Sequence, residues 1–391
     1  MGGKTLKSAL TGMPIGRFLG PALTGSGIMA ALVMVLTGKI DLSQLDLLRQ
    51  ENEASGAATQ ATIQPVNLQS LGQKSPETVR VVTFNIQVFG KKKASDSEVM
   101  PILAQIVSQF DVVAIQEVRG GDAEPIQSLV DLLRASGAYY SATISEPIGR
   151  TNQTESYAFV WDATRIRFVE GSAYLVRDQA DRMHREPMVA SFESRIGLAD
   201  GRRPFRFTLI NAHTSPSEVE ASAIANEMNV LDDVFVRVRQ YDYQTTGEED
   251  CIMLGDLNVD TQGLRELGQI PNVVSIAGDL KTNTRRSKTY DHILLDRTLT
   301  REYTGRFGIL DFQRDLGLSE ELALRVSDHL PLWAEFSAYE VPRFEPQPNQ
   351  RQPNQRQPNQ RQPNQRQPNQ RQPNQRQPNQ PQPIQRQPAP Y

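Results

Sequence analysis

The sequence predicts an α/β protein: a four-layer sandwich of two packed mixed β-sheets flanked by helices, followed by a disordered C-terminal tail. Three observations lead there. Between Val79 and Glu340, apolar runs rich in β-branched residues alternate with stretches of helical spacing, the pattern of a layered α/β domain. A body of that length can bury a large core. Beyond Glu345 the chain has no acidic residue and repeats the unit Gln-Pro-Asn-Gln-Arg, which offers almost nothing apolar to offset chain entropy.

The elements follow in order. Val79–Ile86 is the first expected strand. Ser97–Phe110 places Val99, Leu103, Ile106 and Val107 at helical spacing, Asp111–Val118 reads as a buried strand, and Pro125–Ala135 as a helix. Later strands are expected at Tyr157–Trp161, Phe205–Ala212, Cys251–Gly255, Tyr290–Leu295 and Leu330–Ser337. The segment Ser215-Pro216-Ser217-Glu218 has the form of a capping box with proline at the first helical position, and predicts one long helix from Pro216 to about Tyr241.

Composition divides the chain into four stretches. Residues 1–40 carry Lys4, Lys7 and Arg17 ahead of an uncharged stretch at 19–38, which reads as a membrane anchor at the lower limit of length. The basic residues before it place the N-terminus in the cytoplasm and export the rest of the chain; a cleaved signal would instead secrete it. Residues 41–78 shift to Gln, Ser, Ala and Gly and read as a flexible linker. Residues 79–340 are the globular body, and 341–391 the tail.

The formal charge is −3, but without the seven arginines of the tail (Arg351, Arg356, Arg361, Arg366, Arg371, Arg376 and Arg386) it becomes −10. A basic tether on an acidic body reads either as weak, salt-sensitive capture of polyanions or as a solvated spacer. The single cysteine, Cys251, lies in an apolar run and reads as a core thiol. One cysteine excludes an intrachain disulfide and a zinc–thiolate cluster. A monomer is expected.

Five short segments bring polar residues to the ends of these strands: Thr83-Phe84-Asn85, Gln116-Glu117-Val118-Arg119, Asn211-Ala212-His213, Gly255-Asp256-Leu257-Asn258 and Ser327-Asp328-His329. A carboxylate such as Glu117 at the mouth of a buried strand is costly unless paired or bound to a cation, and oxygen ligands of this kind suit Mg²⁺. Asp256 and Asn258 alternate, so both can face one pocket, where an acid orients water and an amide holds a phosphoryl oxygen. Histidines at strand mouths, His213 and His329, can move protons near a phosphate. Taken singly, each has a plain reading as a turn or surface residue. His184 and His292 show no comparable context, and His292 reads as strand-exposed.

The set as a whole, in this order and spacing, resembles the endonuclease/exonuclease/phosphatase superfamily, and within it the pancreatic-type deoxyribonucleases. Beyond the five segments, Ser145-Glu146-Pro147-Ile148-Gly149-Arg150, His213-Thr214-Ser215-Pro216-Ser217 and Asp311-Phe312-Gln313 are similar to that subgroup, and the likeness runs from about Val79 to Phe336. It implies a divalent-metal-dependent phosphodiesterase acting on DNA. It implies that His213 pairs with Glu155 and His329 with Asp291. Glu117, with Asn85 and Asp328, would hold the metal, Mg²⁺ or Mn²⁺, with Ca²⁺ a further candidate. Asp256 and Asn258 would complete the phosphate site, and Arg119 and Arg150 would contact DNA.

Three departures stand out. Thr261 and Lys288 occupy positions where that family has a disulfide, Gln153 stands near where it has a groove-inserting tyrosine, and only Asp279, Thr282 and Thr284 suggest a calcium loop. Two rival readings are a membrane-associated sphingomyelin or inositol-phosphate phosphodiesterase with the same residues, and a non-catalytic surface-binding protein working through its tail.

Overall fold

The first apolar run becomes a twelve-residue strand, β1 (Thr78–Phe89), and the period-2 pattern of its side chains sets the layering of the molecule. In the computed structural model, residues 71–121, 123–150, 154–196, 201–220 and 226–342 are described. The expected anchor at 19–38, the linker up to residue 70, Gln153 and the tail from 343 onward lie outside them. Among the described residues no helix is long and apolar enough to cross a membrane.

After β1 come α1 (Lys91–Ala94), α2 (Val99–Val107), β2 (Val112–Val118), α3 (Glu124–Ala135), β3 (Tyr140–Ile144), β4 (Ser156–Asp162), β5 (Ile166–Phe168), β6 (Tyr174–Leu175), β7 (Met188–Ser194) and β8 (Arg206–His213). The second half holds α4 (Pro216–Val219), α5 (Met228–Thr246), β9 (Cys251–Asp256), β10 (Val273–Ser275), β11 (Asp291–Asp296), β12 (Tyr303–Ile309), α6 (Phe312–Asp315), α7 (Glu320–Val326) and β13 (Leu332–Ser337). One sheet has the order β12-β13-β1-β2-β4-β3, the other β10-β11-β9-β8-β7-β5 with β6 paired to β7. β1 and β2 are parallel, as are β8 and β9, and the other pairs are antiparallel, so both sheets are mixed.

Alternation along each strand divides the apolar residues between two interfaces. Val79 and Val81 of β1, Tyr157 and Phe159 of β4, Leu209 of β8, Ile252 and Leu254 of β9 and Ile293 of β11 form the core between the sheets. Val82, Phe84 and Ile86 instead pack under α2, α3 and α7. Ile210, Cys251, Met253 and Leu294 pack under α5. Helix, sheet, sheet, helix is the four-layer sandwich expected.

Strand β7 was not legible, since Met-Val-Ala-Ser-Phe-Glu-Ser breaks apolar alternation with Ser and Glu. Its Phe192 is fully buried between the sheets, edge-on to Phe159 with ring centroids 5.4 Å apart.

Two expectations are corrected. The single long helix is two: α4 stops at Val219 and α5 begins at Met228. The capping box is not made, because Glu218 is taken by His184 and Arg150 while the Ser215 N–H donates to Glu227 instead. Residues 71–77, assigned by composition to the linker, belong to the folded body. Leu71 is buried against the α2–α3 layer, and the carbonyls of Leu71, Gly72 and Gln73 accept hydrogen bonds from the Arg80 guanidinium.

Candidate active site

The face of the strands that builds the inter-sheet core turns polar at one rim. Along β1 the inward residues run Val79, Val81, Thr83, Asn85. Along β8 they run Leu209, Asn211, His213, and along β9 Ile252, Leu254, Asp256. The parallel pairs bring these C-terminal ends together, and the antiparallel partners add residues at their starts: Glu155 just before β4, Asp291 opening β11, and His329 ahead of β13. Register places His213 opposite Asp256 and Asp256 opposite Asp291, a row across three adjacent strands. Below the rim, the buried amides tie the two sheets together: Gln116 Nε2 donates to Asn211 Oδ1 at 2.6 Å, and Asn211 Nδ2 to the Ile115 carbonyl.

The backbone is shaped for this. Glu117 and Asn258 sit at φ 62° and 52°, conformations that non-glycine residues adopt at a cost and that cluster at functional sites. The β1–β2 register slips between Asn85 and Phe89, a bulge that turns Glu117 toward the rim. Gly255 has φ +147°, and a Cβ there would lie 1.8 Å from the Ala212 carbonyl oxygen, so only glycine lets β8 and β9 approach this closely.

Two carboxylate–imidazole pairs frame the site. His213 Nδ1 lies 2.6 Å from Glu155 Oε1, and His329 Nδ1 lies 2.8 Å from Asp291 Oδ2. Their Nε2 atoms both face Asp256 Oδ2, at 3.6 and 3.4 Å. Burial opposes charge on both rings, but the adjacent carboxylates win: Glu155, then Asp256, raises His213, and Asp291, then Asp256, raises His329 well above the ordinary imidazole range. Burial pushes Asp256 upward against the pull of the two rings.

Glu117 is held low despite its burial, by the His213 charge, the Val88 N–H at 2.9 Å and the Asn85 amide at 3.1 Å. Asn85 Nδ2 also donates to Asp256 Oδ2 at 2.9 Å. Asn258 donates its side-chain amide to the Thr214 carbonyl and its N–H to Asp256 Oδ1. Burial and the Glu117 charge raise Asp328.

The donor set suits a divalent cation. Asn85 Oδ1 is buried without a hydrogen-bond partner, beside Glu117, whose charge acts on Asp328. An orphaned amide oxygen between carboxylates is a hard-oxygen ligand set. Asp256, Asp291 and His329 also have ligand atoms within 4.8 Å of one another, but their closeness is that of an ion pair, and a protonated ring offers no lone pair to a metal.

Of the residues named from sequence, Asn85, Glu117, Arg119, Glu155, His213, Asp256, Asn258, Asp291, Asp328 and His329 gather at this rim. Arg119 Nη2 is 3.2 Å from Glu155 and 3.6 Å from Glu117. Arg150 is elsewhere engaged, with Asp181 and Glu218, each at 2.9 Å. Three contributors went unread. Arg185 Nε lies 3.2 Å from Glu155 Oε1, the Tyr157 hydroxyl accepts from the His213 N–H, and Ser327 donates to the Asn85 carbonyl and accepts from the His329 N–H. Ser327 stood within a recognised segment but was given no role of its own; Arg185 precedes the unread strand β7, and nothing local marked it. His292, read as strand-exposed, is fully buried, bonded through Nδ1 to Ser275 Oγ and through Nε2 to the Val259 carbonyl. Thr282 and Thr284 have their hydroxyls committed, to the Tyr290 and Asp291 N–H groups and to the Ser327 carbonyl.

The chain is similar to known proteins of one family. The Endonuclease/Exonuclease/phosphatase family matches residues 82–329. Deoxyribonuclease-1-like 1 of Chlorocebus aethiops is 30% identical over 69% of this chain and 88% of its own length. Deoxyribonuclease-1 of Bos taurus is 28% identical over 65% of this chain and 91% of its own. Among solved structures, TDP2 from C. elegans aligns with a TM-score of 0.45 at 15% identity, covering 86% of this chain and 99% of that one.

Proposed function

We propose that this chain, which belongs to the endonuclease/exonuclease/phosphatase family, is a DNA endonuclease that cleaves phosphodiesters with two carboxylate–imidazole pairs and a divalent ion. The observation that carries the reading is the convergence of both Nε2 atoms on one oxygen of Asp256 while each Nδ1 is fixed by a buried carboxylate. The deoxyribonuclease relatives supply the substrate class.

A phosphodiester at this rim would lie between two rings whose tautomers are set by Glu155 and Asp291. One ring, once neutral, takes a proton from the attacking water at its Nε2, and the other, as imidazolium, gives one to the departing oxygen. Asp256 orients the water and both rings. The Asn258 amide and Arg119 bind phosphoryl oxygens, and Arg119, together with Arg185, holds Glu155 in its buried position. Glu117, Asn85 and Asp328 would hold the ion, Mg²⁺ or Mn²⁺, whose charge offsets that developing on the phosphoryl oxygens. For Arg150 to reach DNA, its ion pairs with Asp181 and Glu218 must open. The basic residues before the segment at 19–38 support presentation of the domain outside the cytoplasm.

The test is incubation with supercoiled plasmid and Mg²⁺ or Mn²⁺, beside sphingomyelin and phosphoinositide vesicles. Nicking that stops in excess EDTA is expected. Full activity in EDTA, or turnover of lipid and not plasmid, would overturn the assignment.

A further inference from the structure

A second group of carboxylates lies at the far end of the sandwich. Asp250 immediately precedes β9, whose last residue is Asp256, so the two ends are separated by six residues of strand, roughly 20 Å. One oxygen each of Glu248, Asp250 and Glu340 lies within 4.8 Å of the others. Glu248 and Asp250 come from the turn between α5 and β9, in one sheet. Glu340 follows β13, in the other.

Glu302, ahead of β12, stands beside this trio, its charge acting on both Asp250 and Glu340. It is only 3% exposed, its Oε2 is buried with no hydrogen-bond partner, and its charge is the first of those that act on Asp250. Asp250 Oδ1 is orphaned in the same way, in a residue also 3% exposed. The three glutamates are not loosely placed. Glu248 Oε1 accepts from the N–H groups of Glu249 and Asp250, Glu340 Oε1 from that of Arg206, and Glu302 Oε1 from that of Val341. In each case the backbone fixes one oxygen and leaves the other for a ligand.

Like charges this close and this desolvated cannot remain ionised unaided. Arg203 is the positive side chain whose charge lowers Glu340, against Glu248 and Glu302, which raise it. Burial and mutual repulsion raise Asp250 to about 10 and Glu340 to about 7, burial being the larger cause in both. Ordinary ion-paired carboxylates shift the other way.

We propose that Glu248, Asp250, Glu302 and Glu340 form a cation site that takes Ca²⁺ and ties the two sheets together at the end remote from the active site. The chemistry favours Ca²⁺ over Mg²⁺. The free oxygens of carboxylates drawn from two sheets form an irregular set that, with waters, can complete the six to eight ligands Ca²⁺ accepts, whereas Mg²⁺ demands a regular octahedron. The site owes nothing to the nuclease reading.

The experiment is Ca²⁺ binding to the metal-free full chain by calorimetry, with thermal unfolding in EDTA and in Ca²⁺ alongside. Because the active site can also take a cation, the wild type is compared with Glu117→Gln, and both with Glu248→Gln and Glu340→Gln. The partly exposed Glu248 keeps the test usable should Glu302→Gln fail to fold. Glu248→Gln and Glu340→Gln should lower Ca²⁺ affinity at one site by at least about tenfold and lose the calcium-dependent rise in Tm, while Glu117→Gln keeps both. An unchanged stoichiometry and Tm response in Glu248→Gln and Glu340→Gln would overturn the site and leave a proton-sharing cluster.

Discussion

The two ends of the sandwich are built from the same materials and differ in what faces the acids. At the histidine-bearing rim, Glu155, Asp256 and Asp291 are buried as deeply as Asp250 and Glu302 at the base. The rim sets each acid against an imidazole, an amide or a guanidinium, and its carboxylates are the means by which two rings acquire raised proton affinity. The base sets acids against acids. A buried carboxylate is therefore not informative by itself; its partners decide whether it tunes a proton, binds a cation or waits for a proton of its own.

Several substitutions would break or sharpen this contrast. The largest effect is expected at the rim: His213→Ala or His329→Ala should each reduce plasmid nicking by about 10² to 10⁴, the usual value of a general acid or base. Retention of most turnover in either variant would mean that the ring is not part of the chemistry. Next comes the join between the ends. Gly255→Ala drives a Cβ into the Ala212 carbonyl, and chemical denaturation should show a loss of about 2 kcal/mol or more through parting of β8 from β9. An unperturbed midpoint would show that the strands can relax cheaply.

The smallest effect separates the ends by pH. Glu340 has its folded pKa raised from 4.5 to about 7, so its contribution to stability is fully present below pH 4.5 and is lost as pH rises to about 7. In EDTA, Glu340→Gln should remove this slope, worth about 1 kcal/mol once its partial exposure is discounted. His329 is raised from 6.5, so what it contributes is fully present below that value and is lost on the alkaline side as pH passes its folded pKa. His329→Gln should flatten only that higher window. Loss of the lower slope in His329→Gln would mean that the two ends are not independent.

Much of the fold was present in local pattern. The β-branched runs of β1, β2, β8, β9 and β11 are long enough to mark themselves, and their inward faces lead directly to Asn85, His213 and Asp256. Short strands were not marked: β5, β6 and β10 have two or three residues each, and β7 interrupts its apolar alternation. Glu155 came only from family resemblance, since nothing local distinguishes it from a surface glutamate.

What the sequence by itself determined was the alternation of strands and helices, the acidic body with its basic repeat, and the residue types at the strand ends. Tertiary structure alone decided which of those residues meet. It turned the expected capping box of Ser215 into a bond with Glu227, gave Glu218 to Arg150 and His184, and drew Arg185 to Glu155. It also gathered Glu248, Asp250, Glu302 and Glu340 from three separate stretches of chain. The reason is physical: hydrophobic period and turn chemistry act over a few residues, while the field at a buried carboxylate is set by whatever the closed sheets bring within a few ångströms of it.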